Sequence, residues 1–246
     1  PFAPINHLAL GLVMLQVGAT FAFPLFRRMA RPLLAMSIAE TLATASLVFC
    51  TCAAAALALG AGPIDWAVIA LLAILAVETA PATTLLVLKE QGANGPVAQS
   101  VVLLLGMNNF AVLVSFTVLV FGILGLGGSV GLSELLVVRI GGALGFGITG
   151  AFLMVLAYQR LAGKDRAVAL FVLLFGFVAL AEATGVPVLL TFFLMGVVLA
   201  NLADDSRDDI LQQYQGLAAP LYVLFFVLAG SRLHLEEFAA LDATAI

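Results

Sequence analysis

The stretch "LAVETAPATTLLVLK", residues 75–89, lies inside a long apolar run yet carries Glu78, Pro81 and three threonines, Thr79, Thr83 and Thr84. Proline lacks a backbone N–H, and its ring clashes with the preceding turn. A helix entering this stretch is therefore expected to be interrupted. Inside a bilayer, non-helical backbone is tolerated only where it is buried in protein or lines a cavity. Freed carbonyls and the ends of half-helices are then ready ligands for a small ion. The plainer reading is a proline-kinked helix whose threonine hydroxyls are satisfied locally.

The composition around this stretch fixes the solvent. Of 246 residues, 63% are hydrophobic and 10% charged, with a mean hydropathy of +1.20. A soluble domain carries roughly 25% charged residues, so this chain cannot cover a surface facing water. The apolar runs are continuous, not the alternating segments of about ten residues that a barrel needs. The expected fold class is an all-α polytopic membrane protein with about eight transmembrane helices, one of them discontinuous. The spans read as 5–26, 33–59, 65–89, 96–124, 134–161, 166–183, 187–203 and 218–232. Turn-rich stretches join them: "RRMARP", "GAGPID", "KEQGANGP", "GLGGSVGLSE", "AGKDR", "ATGVP" and "ADDSRDD".

Cations set the orientation. Arg27, Arg28 and Arg31, then Lys89, then Arg160, Lys164 and Arg166 fall in alternate loops, and the intervening loops hold neither Lys nor Arg. The basic loops are expected to be cytoplasmic and the N-terminus of this chain outside, in the cell membrane. The segment "ADDSRDDILQQYQG", 203–216, is acidic but cytoplasmic by parity. It reads equally as a solvated linker or as an amphipathic helix with Ile210, Leu211, Tyr214 and Leu217 on one face. Cys50 and Cys52 are core or lipid-facing residues with no disulfide framework. No cleavable signal peptide is evident, and position 1 is Pro, so the chain reads as a fragment or a processed product.

Ionisable groups inside spans are rare and often functional. Arg139 can snorkel to the outer interface, and Glu182 lies one turn before "TGVP", near a membrane surface. Glu40 is deep enough in its span to need a partner, and reads first as a helix-packing hydrogen bond. Glu78 is near the middle of its span. In "GMNNFAVLV", 106–114, Asn108 and Asn109 stand midway along the next span. The hairpin "KEQGANGP" makes the two spans antiparallel neighbours, so the amides can approach Thr79 at similar depth. Asparagines there could also simply join helices, at about 1–2 kcal/mol or less per hydrogen bond. In "RIGGALGFG", 139–147, Gly141 and Gly145 permit close helix contact, inside one chain or in a dimer.

Five segments in order resemble the monovalent cation:proton antiporter superfamily, which includes the sodium/hydrogen exchangers, in its Kef-like branch. They are "LALGLVMLQVGATFAFPLFRRMARP", "ETAPATTLLVLKEQGANGP", "LLGMNNFAVLV", "VLLTFFLMGVVLAN" and "APLYVLFFVLAGSRLHLEEF". The resemblance implies a partial antiporter fold with inverted repeats over 1–246, with 65–125 as its ion-site hairpin. It implies a homodimer whose ligands are a monovalent cation, sodium or potassium, and protons. It carries its ion-binding pair to Asn108 and Asn109 and the broken-helix ligand to Thr79; with the residues of the interrupted stretch, the expected proton and cation site is Glu78, Thr79, Pro81, Thr83, Asn108 and Asn109, with Glu40 as a secondary intramembrane polar group. Sodium or potassium would sit at Thr79, Asn108 and Asn109.

In that family an aspartate pair alternately binds cation and protons. Here both positions are Asn, and an amide does not titrate. Either Glu78 supplies the carboxylate, or the chain binds without proton coupling, or it is a non-transporting relative kept for sensing or assembly. The resemblance also implies helices that this sequence lacks at both ends, including a second broken helix. No cofactor is expected. An enzyme is disfavoured because no nucleophile and base converge, His7 and His234 lying near the chain ends. Ten cations spread over several loops exclude a nucleic-acid surface.

Overall fold

The computed structural model describes residues 3–21, 23–59, 66–79, 81–123, 135–203 and 207–231. The expected loops at 60–65 and 124–134 lie outside them, as does the tail 232–246 with His234. The elements are helical: α1 (Ala3–Ala19), α2 (Phe23–Ala58), α3 (Trp66–Leu75), α4 (Pro81–Glu90) and α5 (Pro96–Thr117). A wider π-helical turn, Val118–Ile123, continues α5, and another, Leu135–Gly141, leads into α6 (Gly142–Arg160). Then come α7 (Gly163–Thr184), α8 (Val188–Leu202) and α9 (Arg207–Gly230). Among the described residues, four segments are long and apolar enough to cross a membrane: Pro32–Ala58, Pro96–Val120, Val137–Arg160 and Gly163–Thr184. Ile5–Ala19, Trp66–Leu75 and Val188–Leu202 are shorter apolar helices. The chain is an all-helical membrane protein.

Three boundaries differ from the sequence reading. The span expected over 5–26 ends at Ala19, and "RRMARP" is not a turn but lies inside α2, with Pro32 in the helix interior. The turn begins at Thr20 and Phe21, and Pro24 occupies the first turn of α2, where a missing N–H costs nothing. Arg, Met and Ala are good helix formers, so the arginine segment extends the helix it was expected to end. The span expected over 65–89 is two helices, α3 and α4, with Ala76–Thr79 outside both. The segment after α8 is helical from Arg207 and runs without a break through Pro220. Its Ile210 and Tyr214 are buried against the protein. Tyr214 Oη donates to the Leu170 carbonyl at 3.3 Å, and burial pushes the phenol's pKa up.

One apolar core joins α1, α6, α7, α8 and α9 through side chains such as Leu12, Met154, Leu174, Phe192 and Tyr214. Glycines bring its backbones together. A Cβ on Gly18 would stand 2.0 Å from the Phe193 carbonyl oxygen, and one on Gly196 would stand 2.1 Å from that of Leu15. Helices α1 and α8 therefore cross in backbone contact. A Cβ on Gly147 would stand 3.0 Å from the Met195 nitrogen of α8, and Gly150 leaves room for the Met195 side chain. Gly145, of the expected small-residue motif, meets nothing within 4 Å. A second, smaller cluster, Leu33, Leu103 and Met107, joins α2 to α5.

Two reversals set the depth of the polar residues. α7 ends on Gly185, whose φ of +68° is open to glycine at no steric cost. The Gly185 and Val186 N–H groups close the last turn onto Glu182 and Ala181. The α4–α5 hairpin turns on Gly92 (φ +59°), where the Ala93 N–H bonds the Leu88 carbonyl and Asn94 Nδ2 donates to the Gly92 carbonyl. That short hairpin holds α4 antiparallel to α5, as "KEQGANGP" implies.

Candidate functional site

The site is built on α2, α5 and the gap between α3 and α4. As α3 runs out, the N–H groups of Val77 and Glu78 turn back to Ile74 and Leu75 in tighter i→i−3 bonds. Helical structure resumes at Pro81, which suits a first helical position. The Thr79 carbonyl lies in the gap, outside any helical ladder. This is the interruption that Glu78, Pro81 and the threonines imply.

From α5, Asn108 and Asn109 project inward, 2% and 1% exposed. Buried amides seek hydrogen-bond partners, and the two find them to different degrees. Ser37 Oγ on α2 donates to Asn108 Oδ1 at 2.6 Å. Asn108 Nδ2 donates to Glu40 Oε2 at 3.1 Å. Ser37 and Glu40 are three residues apart, one face of one helix. The result is a chain of hydroxyl, amide and carboxylate that pins α5 to α2. Asn109 Nδ2 donates to the Leu105 carbonyl of its own helix at 2.8 Å and reaches the Thr79 carbonyl at 3.5 Å. Its Oδ1 is buried with no hydrogen-bond partner among the described residues, as is Thr41 Oγ1, one residue past Glu40.

Of the residues singled out in the sequence, the structure groups Asn108 with Glu40 and Asn109 with Thr79. Glu78 is exposed in the gap, and its side chain bonds no described residue; Thr83 is exposed one turn into α4. Ser37 and Thr41 were missed. Their i, i+3, i+4 spacing with Glu40 was the signal available, a polar stripe on an otherwise apolar helix. Near the ends of the bundle, the His7 Nδ1–Glu182 Oε1 contact ties α1 to α7. The Arg139 guanidinium packs over Gly185, where a Cβ would come within 2.4 Å of it. Both lie apart from the asparagines.

Asn201 at the end of α8 fastens the α1–α2 turn. Its Nδ2 donates to the Phe21 carbonyl at 2.9 Å, and its Oδ1 accepts from the Phe23 N–H at 2.7 Å. Beside that turn lies a cavity of about 600 Å³ between α2, α5 and α8. Ser37 and Thr41 give it its hydroxyls; the rest of its lining is apolar. Phe110 of α5 and Phe193 of α8 stack across it with ring centroids 5.8 Å apart.

The arrangement gathers two amides, the Ser37 and Thr41 hydroxyls, the Glu40 carboxylate and the Thr79 carbonyl, with Glu78 in the gap beside them. A sequence model of one family, described as "sodium/hydrogen exchanger, transmembrane", matches residues 5–246. No curated protein and no solved structure matches the chain.

Proposed function

The chain belongs to the sodium/hydrogen exchanger transmembrane family, and on that premise we propose that it exchanges a monovalent cation, sodium or potassium, for protons by alternating access. The observation that carries this reading is the Ser37–Asn108–Glu40 chain beside an interrupted helix whose Thr79 carbonyl faces Asn109. The cation sits among Asn109 Oδ1, the Thr79 carbonyl and the neighbouring polar groups. Asn108 and Asn109 cannot titrate, so the proton rides on a carboxylate beside them. Glu78 and Glu40 are the two on hand. Glu78 stands in the gap next to Thr79, and Glu40 is already bonded to Asn108.

In this reading α3 and α4 together make one crossing, giving about eight in all. The fold is a partial antiporter fold with inverted repeats, of the Kef-like branch. The assembly is a homodimer in the cell membrane, with the basic loops cytoplasmic and the N-terminus of this chain outside. Pro81 fixes the gap, and Thr83 adds a hydroxyl one turn beyond it. A second reading, a proton-uncoupled binding or regulatory relative, is favoured by one observation only: both members of the enclosed pair are amides.

The test is proton flux in proteoliposomes holding a pH dye, with a pH gradient imposed and sodium or potassium then added. Wild type, Glu78→Gln and Glu40→Gln are compared. Cation-driven collapse of the gradient in wild type, lost in either variant, assigns the proton to that carboxylate. A wild type silent to every alkali cation replaces exchange with the uncoupled reading.

A further inference from the structure

We infer that Asn201 is a positioning residue for the polar site: acting through Phe21, it sets the spacing of α2 and α5 where Ser37 and Glu40 meet Asn108. Its part in exchange rests on the function proposed above; the geometry it holds does not. One amide makes three hydrogen bonds, all to backbone. Oδ1 accepts from the Phe23 N–H at 2.7 Å, and Nδ2 donates to the Phe21 carbonyl at 2.9 Å and to the Val197 carbonyl of its own helix at 2.7 Å. The Val197 bond fixes which way the amide faces, because the reverse would set two oxygens against each other. The remaining two bonds hold the chain on both sides of the α1–α2 turn. The turn closes itself on the α1 side, where the Thr20 N–H and hydroxyl bond the Val17 carbonyl and the Phe21 N–H bonds Gly18. It cannot slip along α8 without breaking a bond to Asn201.

The ring of Phe21 carries that fixed position into the site. It packs against Leu33 of α2 and Leu103 and Met107 of α5. It comes closest at Gly106, where a Cβ would stand 3.0 Å from Phe21 Cδ2. The ring is therefore a wedge between the two helices, and its backbone is what Asn201 holds. Leu33 lies one turn before Ser37 on the same face of α2, and Gly106 and Met107 directly precede Asn108 on α5. The Ser37–Asn108 bond at 2.6 Å and the Asn108–Glu40 bond at 3.1 Å survive only a few tenths of an ångström of displacement. The wedge decides whether both distances are met at once. The stack of Phe110 on Phe193 also joins α5 to α8, but stacked rings slide over one another and fix no register. Asn201 thus ties the spacing of the polar chain to a helix that supplies no group to it.

The experiment uses the full-length protein in liposomes, with Cys50→Ala and Cys52→Ala. One pair of cysteines, Ser37→Cys with Asn108→Cys, reports the spacing of α2 and α5. A second, His7→Cys with Glu182→Cys, reports the α1–α7 contact away from the site. Oxidation by copper phenanthroline gives each pair a cross-linking rate, with Asn201 intact and with Asn201→Ala. The 37–108 rate should fall about tenfold or more on Asn201→Ala and on Phe21→Ala, with the 7–182 rate within about twofold. In the flux assay, with Ser37 and Asn108 restored, Asn201→Ala should raise the apparent KM for sodium or potassium about tenfold. Asn201→Asp, which keeps the acceptor for Phe23 and turns a carboxylate on the Phe21 carbonyl, serves if the alanine variant does not fold. A 37–108 rate unchanged by either the Asn201 or the Phe21 variant overturns the inference. So does an equal fall at both pairs, which makes Asn201 a support of the whole fold. A wild type silent in the flux assay, with the cross-linking contrast intact, removes exchange and leaves the positioning in place.

Discussion

Helix α8 and helix α2 pack by opposite means. α8 meets backbone at Gly18 and Gly196 on the α1 seam and at Gly147 on the α6 seam, where Gly150 makes room for the Met195 side chain. Its Phe192, Met195 and Leu199 are wholly buried. α2 touches α3 and α5, but Leu42 and Leu47 on it stay 61% and 66% exposed. A three-residue apolar cluster and the Ser37–Asn108–Glu40 hydrogen bonds hold it to α5. Backbone contact admits one register, because bringing α1 and α8 closer or sliding them meets carbonyls. Side-chain hydrogen bonds can be remade elsewhere. The difference divides the molecule into a fixed frame around α8 and a replaceable attachment around α2, and the Ser37–Asn108–Glu40 chain belongs to the attachment.

The sharpest way to break this contrast is to crowd the frame. Gly196→Ala puts a methyl 2.1 Å from the Leu15 carbonyl and 2.7 Å from the Ala19 nitrogen. The expected loss is about 3 kcal/mol or more, since the obstacle is backbone and cannot rotate away. It would be seen as loss of the monodisperse peak in detergent; a folded, wild-type-like Gly196→Ala protein removes the frame. Next, Asn201→Ala should cost about 1–2 kcal/mol by stranding the Phe21 carbonyl and Phe23 N–H at the α1–α2 turn. Thermal unfolding followed by circular dichroism measures it.

Smaller still, Asn108→Leu should cost about 1 kcal/mol, because membrane hydrogen bonds between helices average well below their vacuum strength. The same variant should abolish the flux assay signal if Asn108 couples Glu40 to the cation. A stability loss as large as that of Gly196→Ala would make α2 part of the frame. Gly145→Ala, in open space, should stay within about 0.5 kcal/mol.

Tyr214 gives a pH test of the frame. Burial holds its phenol neutral above the usual pKa, about 10 for tyrosine. Unfolding frees it to ionise, so its share of stability is lost as pH rises past that value and is intact below it. Tyr214→Phe should flatten the fall in melting temperature above that pH.

The legible parts of the fold were those with local causes. Pro81 with its flanking Thr residues marked the helix gap, and the glycines of "KEQGANGP" marked the hairpin that sets Asn109 opposite Thr79. The α1–α2 turn was not legible, because residues 5–26 are one apolar run and Pro24 suits a helix start as well as an interior kink. The partner that settles it, Asn201, is 178 residues from Phe23. The Glu40–Asn108 bond depends on how α2 is rotated against α5, which no spacing within either helix fixes. So Glu40 read as a packing residue, and Glu78, in the visible gap, drew the functional reading.

An enclosed amide pair has an electrical consequence. Asn108 and Asn109 carry no charge at any pH, so they offset none of the charge of a cation seated beside them. In the exchange proposed above, the carboxylates beside them among the described residues are those of Glu40 and Glu78, and only these could offset it. Each elementary charge crossing a membrane is worth about 2.3 kcal/mol per 100 mV. With both carboxyls protonated, the membrane voltage acts on the loaded protein in full; with one ionised, it acts hardly at all. Under the proposed exchange, the pair thus leaves voltage sensitivity to two glutamates that lie outside it.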